Sequence, residues 1–329
     1  MIKKVFIGAA FLLLSASITQ PVSAQSIIPQ PESITRQQGT FTLAKGLQGV
    51  TNLKGEDFKI LNQYTSDVMS IPFSSVKNPS ADAPLRLICT GTEQEAAMAA
   101  DSVSLQGYEL NVTPTAVTIE ARTPMGLFYG LQTLRQLEQD RQIPCVKITD
   151  TPRFAYRGLM IDCSRHFWWK DEIKKQLDAM AYFKLDRFHW HLTDGGGWRM
   201  EVKQYPLLTE ETAHRTESDW TKWWNRKNRQ YSPDPVRLVC WKGMNIYGGY
   251  YKQDDIKEIV DYAAARHITI IPEIEMPGHS DEVVYAYPEL SCTGKPYTQS
   301  DLCVGKEQTY TFMENVLKEV MQLFPSKYI

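Results

Sequence analysis

The sequence predicts an α/β fold for residues 151–329, because apolar strands alternate there with amphipathic helices. Three strand-like stretches, residues 157–165, 187–194 and 268–279, are apolar for most of their length and end in charged residues. This alternation indicates a parallel sheet, open or closed. In α/β barrels the functional groups lie at the carboxyl ends of such strands.

Amphipathic helices separate these strands. The acidic pairs Asp171-Glu172 and Asp254-Asp255 open the first two helices, and negative charge is favourable at a helix N-terminus. A third helix is predicted from about residue 307 to 323. The chain then reaches Lys327-Tyr328-Ile329, which is typical of the beginning of a fourth strand. Since a closed (β/α)8 barrel usually takes about 250 residues, we expect an incomplete TIM barrel with about the first three to four strands.

Residues 25–150 predict an α+β domain. Alternating stretches at residues 108–112 and 116–120 indicate strands, and a helix is expected to begin at Thr123-Pro124, where Thr can cap and Pro can occupy the first turn. The apolar face of that helix comprises Leu127, Leu131 and Leu134. No motif in this domain carries chemistry by itself, so we expect it to have a supporting role.

Residues 1–24 predict a signal peptide. Two lysines precede an apolar run over residues 5–14, and residues 22–24 are small enough for cleavage. The alternative is an uncleaved anchor, but the run is shorter than the roughly 20 apolar residues of a membrane span, and no later stretch approaches that length. We therefore expect an exported protein, periplasmic or extracellular. Cleavage would remove two lysines and change the formal net charge from −2 to −4, which gives no electrostatic reason to expect a nucleic acid as partner.

An exported chain with six cysteines can form disulfides. Cys292 and Cys303 flank a loop that contains Gly294 and Pro296, so this local pairing is predicted. The remaining cysteines are expected to pack mostly as small apolar side chains. They are Cys89, Cys145, Cys163 and Cys240. No C-x-x-C pair occurs, so a structural zinc site is not expected.

The first two strands end in polar residues that could bind a ligand. Asp162 and Arg165 follow the first strand. A guanidinium held by a carboxylate can grip vicinal hydroxyl groups with its fork of donors, although the two residues could equally form a structural ion pair. In the second strand His189 and His191 point to the same side, and Asp194 comes at the turn.

Glu273, Glu275 and His279 follow the third strand. Pro277-Gly278 predicts a tight turn that brings His279 back toward Glu275, and an imidazole oriented by a carboxylate can hold and tune a catalytic acid. The alternative is that these side chains bond to backbone at the strand end. Charged clusters at three successive strand ends favour a functional site.

A long excursion from Trp198 to Gly249 separates the second strand from its helix. Its aromatic faces could stack on sugar rings, or they could form the small core that a long ordered loop needs. The tryptophans concerned are Trp220, Trp223, Trp224 and Trp241. Packing is the interpretation that we favour.

Several longer motifs are specific enough to compare with known families. The three strand-end motifs are Tyr156-Arg-Gly-Leu-Met-Ile-Asp-Cys-Ser-Arg-His166, His189-Trp-His-Leu-Thr-Asp194 and Pro272-Glu-Ile-Glu-Met-Pro-Gly-His279. Two upstream motifs are Gly107-Tyr-Glu-Leu110 and Phe128-Tyr-Gly-Leu-Gln-Thr-Leu134. Together they resemble the β-N-acetylhexosaminidases of glycoside hydrolase family 20. The resemblance implies an N-terminal accessory domain over residues 25–150 and part of a catalytic TIM barrel over residues 151–329.

The resemblance also implies a reaction. It is the removal of terminal β-linked N-acetylglucosamine or N-acetylgalactosamine from glycans by a retaining, substrate-assisted mechanism, in which the sugar's own acetamido oxygen attacks the anomeric carbon. An Asp holds the acetamido group and the adjacent Glu acts as general acid and base. No metal or cofactor is implied. The Asp-Glu pair is expected a few residues beyond Ile329, so the chain as printed is expected to be inactive.

Individual roles follow from the same resemblance. Arg165 would bind hydroxyl groups of the terminal sugar, while Asp194 and His279 would form the polar network around the catalytic acid. Glu275 stands where a shorter Asp is also expected in the family. Gly195-Gly196 stands where bulkier polar residues are expected, which would alter the shape of the local subsite.

Two other function classes stay open. A metal-dependent hydrolase on the same kind of barrel would use His189, His191 and His279 with a carboxylate. A non-catalytic glycan-binding protein would keep Arg165 and the tryptophan-rich loop. Zinc analysis tests the first alternative, and calorimetry with N-acetylglucosamine tests the second.

Overall fold

The structure, a computed structural model, describes residues 27–215, 238–296 and 299–329. The predicted signal peptide, residues 1–24, lies outside the described residues. Within the part of the chain that is described, no helix has both the length and the apolar character that crossing a membrane requires.

A seven-stranded mixed sheet forms the N-terminal part. Its strands are β1 Ser33–Thr42, β2 Gly49–Thr51, β3 Phe73–Ser75, β4 Leu85–Cys89, β5 Tyr108–Val112, β6 Val117–Ala121 and β7 Gln142–Asp150. Its helices are α1 Gly55–Met69, α2 Glu93–Met98 and α3 Pro124–Leu137. In space the strand order is β1-β7-β5-β6-β4-β2-β3. Strand β5 shows why alternating sequences form such a sheet: its first, third and fifth side chains are buried and the two between them are exposed.

Helix α3 belongs to the N-terminal part and also contacts the barrel part. Thr123 caps the helix, since its Oγ1 accepts a hydrogen bond from a first-turn backbone N–H at 3.2 Å, and Pro124 occupies the first position. The sequence predicts one apolar face, but nearly every residue of α3 is buried. The barrel part supplies additional cover, because Arg157 Nη2 donates a hydrogen bond to the Tyr129 hydroxyl at 2.9 Å.

Three parallel strands form the sheet that positions the candidate site. They are β8 Gly158–Asp162, β9 Arg187–Asp194 and β14 Thr269–Ile274. The helices of this part are α4 Lys170–Tyr182, α5 Leu207–Glu210, α6 Gln253–Ala264, α7 Asp281–Ala286 and α8 Glu307–Leu323. Strand β9 lies in the middle, between β8 and β14. The register places both Asp162 and Glu273 beside His191, so polar residues from three strands meet at one edge.

The beginning of a fourth strand, predicted at residues 327–329, is not present. Residues 324–329 form neither helix nor strand, and Tyr328 and Ile329 are 57% and 50% exposed. A strand exists only where its backbone bonds to a neighbouring strand. The described barrel part therefore has three parallel strands, at the lower end of the predicted range.

The excursion between β9 and α6 contains a small sheet of its own. Its strands are β11 His214–Arg215, β12 Leu238–Trp241 and β13 Met244–Gly248, and the short β10 Gly197–Trp198 pairs with the end of β9. Trp241 packs inside this excursion: its indole Nε1 donates to the Glu210 carbonyl at 2.6 Å, and its ring stacks on His214 at 5.6 Å between centroids. The packing interpretation is thus supported at Trp241. Trp220, Trp223 and Trp224 lie outside the described residues.

The structure joins Cys292 and Cys303 in a disulfide. Cys145 and Cys163 are buried, and burial raises the pKa of the Cys163 thiol to about 12. Cys240 differs from the expectation of packing, because it is exposed. It lies on β12, in the small sheet of the excursion.

Loss of the disulfide is expected to lower stability without changing the fold. The bridge closes a loop with a sequence separation of 11 residues, and a loop of that size corresponds to about 3 kcal/mol of lost chain entropy in the unfolded state. Cys292→Ser should therefore lower the free energy of unfolding by up to about 3 kcal/mol in urea denaturation. Cys240→Ser, which removes an exposed thiol, is the control. A loss no larger than that of the control would contradict the prediction.

Candidate functional site

The site lies where β8, β9 and β14 end. Asp162 is the last residue of β8, Asp194 is the last residue of β9, and Glu275 follows β14 directly. Parallel strands bring their carboxyl ends to the same edge of a sheet. This explains why side chains more than a hundred residues apart in the sequence are neighbours here.

Arg165 is held between two carboxylates. Its Nη1 lies 2.8 Å from Asp162 Oδ2, its backbone N–H donates to Asp162 Oδ1 at 3.0 Å, and its Nη2 forms an ion pair with Asp194 Oδ2. The Asp194 side chain is 4% exposed, whereas that of Arg165 is 29% exposed. The guanidinium is therefore fixed by the protein on one side and accessible to a ligand on the other.

Asp194 is the centre of the polar cluster. Besides Arg165, its Oδ2 accepts a hydrogen bond from His279 Nδ1 at 3.0 Å and lies 3.5 Å from His191 Nε2, and its Oδ1 accepts from the Gly195 N–H at 2.6 Å. Burial acts to raise the pKa of Asp194, but the bonds to His191 and His279 and the Arg165 charge outweigh it and lower this pKa. Asp194 is therefore ionised and oriented.

His279 contacts a different carboxylate from the expected one. The turn was predicted to bring its imidazole toward Glu275, yet the hydrogen bond is to Asp194. The bond to Asp194 raises the pKa of His279. Burial, followed by the neighbouring Glu273, raises the pKa of Glu275. The His279 side chain is 62% exposed and can reach a ligand.

Two histidines and two glutamates extend the cluster. His189 and His191 face the same side, as expected, because both approach Glu273 Oε2, at 2.6 Å from His189 Nε2 and 3.5 Å from His191 Nδ1. Ligand atoms of His191, Glu273 and Glu275 lie within 4.8 Å of one another. Among the described residues, the group whose ligand atoms come together is therefore His191, Glu273 and Glu275, and not the predicted metal set of His189, His191 and His279.

Comparison with known proteins now places this geometry in a family. A profile described as "Glycosyl hydrolase family 20, catalytic domain" matches residues 154–329, and one described as "Glycosyl hydrolase family 20, domain 2" matches residues 24–151. The chain belongs to glycosyl hydrolase family 20. Its strand-end cluster therefore lies in the catalytic-domain part, and its seven-stranded sheet in the accessory part.

Relatives in family 20 extend well beyond this chain. A β-hexosaminidase of Porphyromonas gingivalis is 34% identical over 92% of the chain, which covers 38% of that protein, and one from Vibrio furnissii is 33% identical over 92%, covering 48% of that protein. The solved β-N-acetylhexosaminidase of Bacteroides fragilis superposes with a TM-score of 0.72 at 31% identity, covering 92% of this chain and 55% of that one. A Streptomyces plicatus enzyme gives 0.73 at 30%, covering 94% and 59%. The chain thus spans about half the length of these relatives.

Two buried arginines hold the backbone beside the strand-end cluster through hydrogen bonds to carbonyl groups. Neither was identified from the sequence. Arg199 is fully buried and donates to the carbonyls of Cys163 at 3.1 Å, Ser164 at 2.8 Å and Gly196 at 3.3 Å. A guanidinium with five N–H donors can tie several loops together. Arg199 therefore fixes the end of β8 relative to the glycine turn that follows Asp194. The sequence signal that could have indicated this role is the position of Arg199 shortly after the glycine run at residues 195–197.

Arg215 also joins two loops beside the cluster through hydrogen bonds to backbone carbonyls. Its Nη2 donates to the Arg165 carbonyl at 2.6 Å and its Nη1 to the Gly196 carbonyl at 3.1 Å. The guanidinium also lies over the Tyr247 ring, 4.5 Å from its centroid. The small sheet of the excursion thereby holds the backbone that carries the sugar-binding candidate Arg165. This role depends on contacts across 50 residues of sequence, which no local pattern shows.

A small polar cavity lies behind the glycine turn. Its volume of about 30 Å³ is room for about two water molecules. Gly195, Gly196, His214 and Glu282 are among its lining residues. A Cβ on Gly195 would lie 2.8 Å from Asp281 Oδ2, so a larger residue there would require the Asp281 side chain to move. Small residues at the positions where the family was expected to have bulkier polar ones leave this space open.

Glu282 is the most unusual group at this cavity. The residue is 4% exposed, and neither carboxyl oxygen makes a hydrogen bond with the described residues. Burial raises the pKa of Glu282 well above its ordinary value, with Asp194 and Asp281 adding to the effect. Burial and then the Arg199 charge lower the pKa of His214 to about 4. The surroundings thus favour the neutral form of both groups.

Replacing Glu282 by glutamine is expected to reduce the pH dependence of stability. A carboxyl whose folded pKa is raised contributes stability below its unfolded pKa, and that contribution is lost as pH rises through the folded pKa. Glu282→Gln should therefore be as stable as the parent near pH 4 and more stable by about 1 kcal/mol or more at pH 8, since an unpartnered carboxylate is the costlier buried group. Urea denaturation at both values measures this, with the exposed Glu289→Gln as control. A variant less stable than the parent at pH 8 would contradict it.

Proposed function

We propose that this chain provides the sugar-binding part of a β-N-acetylhexosaminidase, which releases terminal β-linked N-acetylglucosamine or N-acetylgalactosamine with retention of configuration. The observation that carries the proposal is the single contact cluster of Arg165, Asp194 and His279 at the strand ends. Three elements of the barrel deliver these groups to one place. Relatives support the ligand class, since enzymes of Streptomyces plicatus and Vibrio harveyi are complexed with N-acetylglucosamine.

The chemistry of each group fits this function. Arg165 presents donors to vicinal hydroxyl groups, and its charge is balanced by Asp162 and Asp194. His279, oriented by Asp194, has an exposed face that can hydrogen-bond a catalytic carboxyl group. The acetamido oxygen of the substrate acts as the nucleophile. The family resemblance places the Asp-Glu pair a few residues beyond Ile329, after a fourth strand that begins at residues 326–329, and His279 would belong to the polar network around the Glu.

The test is an assay with a chromogenic β-N-acetylglucosaminide on two proteins. One is the 329-residue chain, and the other, called the extended protein, is this chain joined after Ile329 to the remaining barrel strands of the Bacteroides fragilis relative. We expect turnover by the extended protein and at most a trace with the 329-residue chain. Sugar binding without turnover in the extended protein would indicate a glycan-binding protein. Absence of both would refute the proposal.

We also propose that the protein is exported to the periplasm or the exterior. The apolar run at residues 5–14 after two lysines supports this, as does the disulfide between Cys292 and Cys303, since such bonds persist in oxidising compartments. N-terminal sequencing of the mature protein from its cell envelope tests it. We expect a mature chain that begins at Gln25, and an intact Met1 would contradict export by cleavage.

A further inference from the structure

The turn that carries His279 needs support from its surroundings. The backbone of His279 has φ +51°, a left-handed conformation that residues other than glycine rarely adopt and that persists only where neighbouring structure holds it. In a later segment, the Ser300 carbonyl accepts a hydrogen bond from the Ser280 N–H at 2.7 Å, and the Leu302 N–H donates one to the Pro277 carbonyl at 2.8 Å. These two bonds lie on either side of His279, so the later segment holds the turn from outside.

The supporting segment, residues 300–303, is itself fixed by the disulfide. Its last residue, Cys303, is bonded to Cys292, and the Cys303 N–H donates to the Leu290 carbonyl at 2.8 Å. Leu302 is 3% exposed and Cys303 is 9% exposed, whereas Cys292 is an exposed residue. Closing a loop costs chain entropy, and a covalent bridge removes this cost. The buried end of the bridge thus carries the segment that supports the turn, and its exposed end can be reached by a reducing agent.

The contact of His279 with Asp194 depends on where this turn places the imidazole. His279 Nδ1 lies 3.0 Å from Asp194 Oδ2, yet the His279 side chain is 62% exposed, so side-chain packing alone does not fix the ring. The charged groups that face the ring are Asp194 at the end of β9, Glu275 after β14 and Arg165 after β8. The hydrogen bond to Asp194 is the main cause that raises the pKa of His279, and Glu275 adds to it, while burial and the Arg165 charge lower it. This pKa therefore reports how closely the imidazole approaches Asp194.

We propose that the disulfide between Cys292 and Cys303 positions His279, because it fixes the supporting segment against the turn and so sets the distance from the imidazole to Asp194. The bridge therefore acts at the candidate site as well as on the stability of the fold. The positioning of His279 does not depend on the proposed function. Its consequence for catalysis rests on that function, in which His279 belongs to the polar network around the catalytic acid.

The experiment is an NMR titration of the isotopically labelled 329-residue chain in three forms: oxidised, reduced with a phosphine, and carrying Cys292→Ser. His279→Gln assigns the imidazole signal. In the oxidised chain we expect a His279 pKa above the ordinary value of 6.5, and in the other two forms a fall toward that value. Amide hydrogen exchange at Ser280 and Leu302 should be at least about tenfold faster without the bridge. Cys240→Ser, which removes an exposed thiol, should match the oxidised chain in both measurements.

Circular dichroism verifies that each form is folded. A bridge that only stabilises the fold would leave the pKa of His279 unchanged, since this pKa reflects contacts within the folded state. If Cys292→Ser unfolds, the reduced chain in an osmolyte that favours the folded state decides the question. An unchanged His279 pKa in a folded form without the bridge would overturn the proposal, and so would a further fall when Cys292→Ser is treated with the reductant. Neither result involves glycosidase activity, so failure of this proposal and failure of the proposed function are distinguishable.

Discussion

Arg165→Ala is expected to reduce kcat/KM of the extended protein for a chromogenic β-N-acetylglucosaminide by at least about 100-fold. Under the proposed function, the variant loses the charge-assisted hydrogen bonds from the guanidinium to the sugar, each worth about 1.5–3 kcal/mol. It also leaves Asp194, whose side chain is 4% exposed, without its cationic partner. Steady-state kinetics measures the effect, and calorimetry with N-acetylglucosamine shows that the loss lies in binding.

Two variants serve as controls for Arg165. Arg165→Lys keeps the positive charge but lacks the planar fork of donors, so its activity should lie between those of the alanine variant and the parent. Arg153→Ala removes an exposed arginine outside the cluster and should retain full activity. Activity of Arg165→Ala within about threefold of the parent would show that the guanidinium has only a structural role.

Asp194→Asn is expected to lower kcat of the extended protein by about 10²–10³-fold, a typical cost of removing an electrostatic group from an active site. Asparagine keeps the shape of the side chain but not the charge that Arg165 and His279 require. The pKa of His279 should then fall, because its bond to the Asp194 carboxylate is the main cause of its raised value. Kinetics measures the first effect, and NMR titration of the imidazole measures the second.

The pH dependence of stability provides an independent readout for Asp194. A carboxylate with a lowered folded pKa contributes stability above its unfolded pKa, near 3.8, and the contribution is lost as pH falls through the folded value. The parent should therefore lose stability in this acidic range more steeply than Asp194→Asn. Asp254→Asn, at a side chain that is 96% exposed, should behave like the parent in both experiments. Equal acid sensitivity of Asp194→Asn and the parent would contradict the assignment.

Much of the barrel part could be predicted because its signals are local. Apolar runs with charged ends located the three strands, and the stripe that includes Ile173 and Leu177 located a helix in which both are fully buried. The same reasoning predicted that Arg165 and Asp194 lie at one edge of the sheet, where they form an ion pair. It failed at residues 327–329, because an apolar stretch forms a strand only when a neighbouring strand accepts its hydrogen bonds.

The details of the cluster could not be predicted in this way. The sequence indicated that the turn brings His279 toward Glu275, whereas in the structure His279 Nδ1 lies 3.0 Å from Asp194 Oδ2. Arg199 is an ordinary charged residue in the sequence, yet it is fully buried and bonded to backbone carbonyls. Such roles depend on loops that meet only after folding.

The sequence by itself determined the alternation of strands and helices, the cap of α3 and the family to which the chain belongs, because these depend on spacing and on short motifs. Only the tertiary structure decided which carboxylate pairs with which basic side chain, that Glu282 is buried without a hydrogen-bond partner among the described residues, and that His191 lies near Glu273 and Glu275. The physical reason is that hydrogen-bond partners and burial are set by distances of a few ångströms between segments far apart in the chain.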